Sequence, residues 1–96
     1  MTKSIVIKKS DKKGKKYMAV FDIDGKKKLT HFGATGYKDY TSGATEEQRK
    51  AYRSRHAKDL ETNDATRAGF LSYYILWSEK SLKDAISKYK KRFGFK

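Results

Sequence analysis

The chain has 96 residues with no cysteine and no proline, and its 24 lysine and arginine side chains outnumber 11 carboxylates to leave a formal net charge of +13. That length supports one domain, residues 1–96, with a small core, and the missing cysteine excludes disulfide staples and thiolate metal sites and fits a reducing intracellular compartment. The longest strictly apolar run, residues 73–77, is far short of the roughly 20 residues of a membrane span, and the lysine-bearing N-terminus lacks the apolar stretch of a signal peptide, so neither a membrane partner nor secretion is expected.

Ile5, Val6 and Ile7 form a β-branched run that predicts a strand, followed over residues 8–16 by a lysine-rich solvated turn. Tyr17, Ala19, Phe21 and Ile23 alternate with Met18, Val20 and Asp22, and Asp24-Gly25 then leads into a second extended run over residues 26–32. This is a β-hairpin with an open register: a two-residue turn pairs Val20 with Leu29, a three-residue turn pairs Phe21 with Leu29. Residues 33–36, Gly-Ala-Thr-Gly, predict a structured loop.

Thr45 with Gln48 is a capping-box signature, and acids in the next turn start helix one, predicted from Glu46 to about Leu60. Asn63 or Asp64 is the predicted cap of helix two, in which Phe70, Tyr73, Tyr74 and Trp77 recur at helical spacing. Ser81 with Asp84 predicts the start of helix three, whose apolar stripe is Leu82, Ile86, Tyr89 and Phe93. Strands followed by helices imply an α+β domain: a small antiparallel sheet over about residues 4–33, with three helices over about residues 45–94 packed on one face.

Most of the apparent chemistry has a plainer structural reading. Phe21-Asp22-Ile23-Asp24-Gly25 copies the opening of dehalogenase-type phosphatases, but a turn between two strands explains the same letters in a chain too short for that fold. His31 and His56, with Asp39 or Asp59, lack the close spacing of a metal or nuclease centre, so no metal, cofactor or enzymatic activity is expected. The glycines of residues 33–36 match no nucleotide-binding fingerprint, leaving a tight turn held against the helices by Tyr37, Asp39 and Tyr40. Phe70, Tyr74, Trp77, Ile86 and Phe93 are expected in the core, with Tyr17 and Tyr37 as exceptions able to stack on bases.

Charge carries the functional signal. Residues 1–36 hold ten lysines against three acids, residues 37–64 six basic against six acidic, and residues 65–96 eight against two. Lys8, Lys9, Lys12, Lys13, Lys15 and Lys16 crowd one turn; Lys26, Lys27 and Lys28 follow the hairpin turn; and Lys88, Lys90, Lys91 and Arg92 close helix three. If these three groups share a side, they form one face suited to a phosphate backbone. Arg53, Arg55 and His56 add a more ordered contact, unless Arg55 pairs with Asp59 one helical turn away. Lysine dominates over arginine, which favours sequence-nonspecific binding of duplex DNA.

The block His31-Phe32-Gly33-Ala34-Thr35-Gly36-Tyr37-Lys38-Asp39-Tyr40-Thr41, then Arg49, Tyr52, Arg55 and His56, then Ala68-Gly69-Phe70-Leu71-Ser72 with Leu76-Trp77, resembles a family of small basic proteins of unknown function encoded by large double-stranded DNA viruses of eukaryotes, the mimivirus-like and chlorovirus-like groups. The resemblance covers most of residues 17–93, and residues 60–63 lack the aromatic residue of the family pattern. It implies a viral setting, in the virion or inside the host cell, with no established catalytic residues. The resulting expectation is a non-catalytic nucleic-acid-binding accessory protein associated with the genome or its packaging. The alternative is a minor virion component of capsid or core that contacts acidic partner proteins.

Overall fold

The computed structural model describes residues 3–96. Strands β1 (Lys3–Lys9), β2 (Lys15–Ile23) and β3 (Lys26–Ala34) form an antiparallel meander in the order β1-β2-β3. Val20 faces Leu29 and Ile23 faces Lys26, so the hairpin closes with the two residues Asp24 and Gly25. Their φ angles, 52° and 86°, suit the right-handed twist of the flanking strands, and Asp22 Oδ1 accepts the Gly25 N–H at 3.2 Å. Asp22 is thus part of the turn.

Period-two alternation decides what each face meets. Ile5, Ala19, Phe21 and Phe32 point inward and are buried with Leu71, Ile75, Leu76, Tyr89 and Phe95. Each large apolar side chain removed from water there contributes about 1.5–3 kcal/mol before entropy is counted. The opposite face of the sheet carries no helix, and Val6 and Leu29 stand exposed on it. The chain is therefore α+β, with its helical half on one side. The last residues also reach the sheet: Lys96 donates its N–H to Lys3 O and accepts from Ile5 N, while Phe95 lies 5.5 Å from Phe21.

Helix one is shorter than its sequence suggests. Thr45 and Gln48 form the reciprocal capping box, but α1 (Glu46–His56) tightens into a 3-10 segment over Ala57–Thr62. That segment packs against Gly69, where an added Cβ would sit 3.0 Å from Asp59 Cβ. Asn63, at φ 53°, ends it rather than capping helix two.

Helix two also starts later, after Arg67: α2 (Ala68–Leu71) widens at once into a π-helical turn over Ser72–Leu76, closed by Trp77 N–H to Ser72 O at 3.1 Å. Ser81 caps α3 (Leu82–Phe93) by accepting from Asp84 N–H, and the Tyr89 hydroxyl donates to Ala65 O. Burial pushes the Tyr89 hydroxyl far above the usual phenol range, so it remains a donor at any ordinary pH.

Asp64, the other predicted cap, instead folds the link into α2. Its Oδ1 accepts from the Thr66 hydroxyl at 2.6 Å and the Thr66 N–H at 2.9 Å. Those bonds, the side-chain one foremost, hold its carboxyl below the usual carboxylate range. A depressed folded pKa means that the contribution is complete above the ordinary carboxylate value and is lost as pH falls through the lowered one. The side chain is 39% exposed, so solvent screening keeps the effect below about 1 kcal/mol. Asp64→Asn should therefore flatten the fall in melting temperature below about pH 4; an acid limb superimposable on that of the parent would show that Asp64 is not its source.

Candidate nucleic-acid interface

A three-stranded meander places its two turns at opposite ends of the middle strand, and β2 with nine residues separates them by roughly 26 Å. The expectation of one face uniting both turns with the end of helix three is corrected accordingly. Lys8, Lys9, Lys12, Lys13, Lys15 and Lys16 stand at one end of the sheet, and Lys26, Lys27 and Lys28 at the other. The last turn of α3, with Lys90, Lys91 and Arg92, joins the second group: Lys3, opposite Ile23 and hence near Lys26, donates its Nζ to Phe93 O at 2.8 Å.

Several of the predicted contacts are committed to the fold. Lys88 pairs with Glu79 at 2.6 Å, Lys28 donates to the Thr66 hydroxyl at 2.7 Å, and the Arg92 guanidinium lies 4.9 Å from the centre of the Tyr74 ring. Arg53 stacks 4.2 Å over Tyr73 and reaches Trp77 O at 3.4 Å. Lys28 thus ties β3 to the link before α2, and the other side chains pack the helical segments together.

The first end is different, because it opens into a groove of about 820 Å³ between β3 with its following loop and the helices α1 and α2. One wall carries Lys15, Lys16, Tyr37 and Lys38, the other Arg55 and His56. Behind them Tyr52 stacks on Trp77, with ring centres 4.4 Å apart and planes 7° from parallel, and His56 stacks on Tyr52 at 4.2 Å. Burial pushes the Tyr52 hydroxyl up. Residues three and four apart on α1 thus supply both the stack and the cation beside it.

The loop wall is built on Asp39, only 3% exposed, which accepts from Lys16 Nζ at 2.7 Å and from Thr41 N–H at 2.9 Å. Asp39 also caps a short 3-10 turn, Tyr40–Ser42, and Lys16 donates in addition to Tyr37 O at 2.5 Å. Lys16 is therefore spent inside the protein. Of the three residues expected to hold the turn, Asp39 does so and Tyr40 donates to Glu46 at 2.9 Å, whereas the Tyr37 side chain is 75% exposed. Tyr17 lies against the core, 6.0 Å from Phe32.

The alternative in which Arg55 pairs with Asp59 is not the one the structure takes. Tightening of the chain after His56 aligns residues three apart, so Asp59 takes His56 Nδ1 at 3.1 Å. Among the described residues, Arg55, Lys15 and Lys38 have no carboxylate partner. His31 is held elsewhere, at 2.7 Å from Ser10 Oγ, and no three His, Asp or Glu side chains gather among the described residues. Nor is any helix among them long and apolar enough to cross a membrane.

A family model described as a family of unknown function, DUF5754, matches residues 5–56, more than half of the chain. The chain belongs to this family. No curated protein and no solved structure matches it. The DUF5754 segment comprises the sheet, the loop and α1, and so supplies both cationic walls of the groove, while Trp77 and Gly69 complete it from outside the matched residues. The sequence blocks around residues 31–41, 49–56 and 68–77, far apart in the chain, converge on this one groove. Lys38 was hidden to sequence reasoning by its neutral surroundings. The Tyr52–His56 spacing of four was the available sign of the stack.

Proposed function

We propose that this protein is a non-catalytic nucleic-acid-binding protein that holds the phosphates of one strand at the lysine-rich end of its sheet, without reading sequence. The observation that carries the reading is the trio Lys15, Lys38 and Arg55, free of carboxylate partners among the described residues and gathered around one groove beside the exposed Lys8, Lys9, Lys12 and Lys13. Phosphate backbones recruit such clusters by releasing counterions, and lysine acts there as a hydrated point charge. The exposed Tyr37 ring adds a surface for an unpaired base, although duplex DNA remains the favoured partner on charge density. The resemblance to proteins of large DNA viruses makes a viral genome the natural polyanion, with a role in its organisation or packaging.

Four to six engaged phosphates predict a log-log salt slope of about −4 to −5 on duplex DNA. The pair Lys15→Glu and Arg55→Glu should weaken binding at least about tenfold, and the pair Lys26→Glu and Lys27→Glu much less. Affinity indifferent to salt would refute nucleic-acid binding by charge. Equal losses from the two pairs, or equal affinity for heparin, would refute the localised site.

A further inference from the structure

The uncovered face of the sheet is the second surface with a definite chemistry. Strand register places Val6, Val20 and Leu29 in one row across all three strands, with Met18 in the adjacent row between Lys8 and His31. Val6 is 50% exposed and Leu29 59%, although β-branched and leucine side chains at these positions gain nothing from water. On the other flank lie Asp22 and Lys27, opposite one another; Asp22 is turned to the Gly25 N–H at the hairpin, and Lys27 is exposed. The patch is apolar at its centre, and around it two ammonium groups, Lys8 and Lys27, stand against one carboxylate, Asp22, so its balance is positive.

From this we infer that the outer sheet face docks an amphipathic helix of another protein, its apolar stripe on Val6, Val20 and Leu29 and its acidic borders toward Lys8 and Lys27. Three strands span roughly 10 Å, the width of one helix, and a helix on this side would complete the sheet as the protein's own helices do on the other. Charge selects the occupant. A second copy would bring a chain of net charge +13 and the same two lysines against the patch, whereas an acidic segment is attracted to it. A nucleic acid fits poorly, because sheets that bind unpaired bases present aromatic rings and this row presents none. The inference uses none of the residues that line the groove and shares only Lys8 with the lysine-rich end beside it.

The test uses the isotope-labelled full chain and a synthetic amphipathic peptide with a leucine stripe bordered by glutamates. Titration should shift the backbone amide resonances of Val6, Val20 and Leu29 and their neighbours in the sheet. Leu29→Asp should weaken the peptide about tenfold or more, while Arg55→Glu in the groove leaves it unchanged. Should Leu29→Asp fail to give the parent's circular dichroism spectrum, Leu29→Thr together with Val6→Thr serves the same purpose. The lysine-bordered version of the peptide should not bind. Equal shifts from a glutamate peptide lacking leucine, shifts confined to the groove, or binding untouched by either variant would overturn the inference. So would self-association of the free chain that Leu29→Asp abolishes, which makes a second copy the occupant, or duplex DNA producing the same shifts on this face.

Discussion

Asp39→Ala should lower the stability of the protein by about 2–4 kcal/mol and release the loop that forms one wall of the groove. The carboxylate is buried and accepts three donors: Lys16 Nζ at 2.7 Å, the Thr41 N–H at 2.9 Å and the Thr41 hydroxyl at 2.5 Å. Alanine keeps the backbone bonds of the 3-10 turn, Ser42 N–H and Ala44 N–H to Asp39 O, but leaves the two side-chain donors and the Thr41 N–H without their carboxylate acceptor. Lys16 is 20% exposed and swings to water, which holds the cost below that of a fully stranded charge. The Asp39→Asn variant keeps an oxygen for Thr41 and loses the ion pair, so its stability should fall between those of the parent and the alanine variant. Urea unfolding at neutral pH measures all three proteins. A loss below about 0.5 kcal/mol for alanine would mean that the loop is held by other contacts.

The same residue marks where sequence reading stops. Strands, the Asp24-Gly25 turn, the Thr45 cap and the apolar face of α3 are local patterns, legible because period and capping depend on neighbours in the chain. The hairpin register was not legible, since it turns on whether an aspartate takes a positive φ. Asp39 and Lys16 are 23 positions apart, and nothing in either neighbourhood announces their pairing.

Helix two misled for a physical reason. A π-helical turn takes more residues per revolution than 3.6, so the burial pattern slips: Leu71, Ile75 and Leu76 become the innermost side chains, while Tyr74 and Trp77 move to the flanks. There Tyr74 receives Arg92, and Trp77 stacks on Tyr52 behind the groove. The slip that defeats the periodicity argument is what supplies the groove with its aromatic backing. Lysine clusters, likewise, were visible as clusters. Their separation onto two ends is a property of the meander, which composition does not contain.

Gly33→Ala should be the most damaging single-atom addition at the groove, costing about 2–4 kcal/mol and lowering the melting temperature by roughly 10 °C or more. Two costs combine. Gly33 lies within β3 at φ 81°, a left-handed conformation that any Cβ disfavours by about 1–2 kcal/mol. The added methyl would also stand 2.9 Å from Leu76 Cδ1 and 3.3 Å from Lys16 Cβ. Neither neighbour yields easily: Leu76 is 2% exposed in the core, and Lys16 is tied to Asp39. Gly36 provides the control, because its φ of 85° is nearly the same and a Cβ there meets nothing within 4 Å. Gly36→Ala should thus show the conformational cost alone, about 1–2 kcal/mol, and the difference between the two variants measures the close approach of strand to π-helical turn. Equal melting temperatures for the two would mean that Leu76 has room to move, and that the back of the groove is looser than this contact requires.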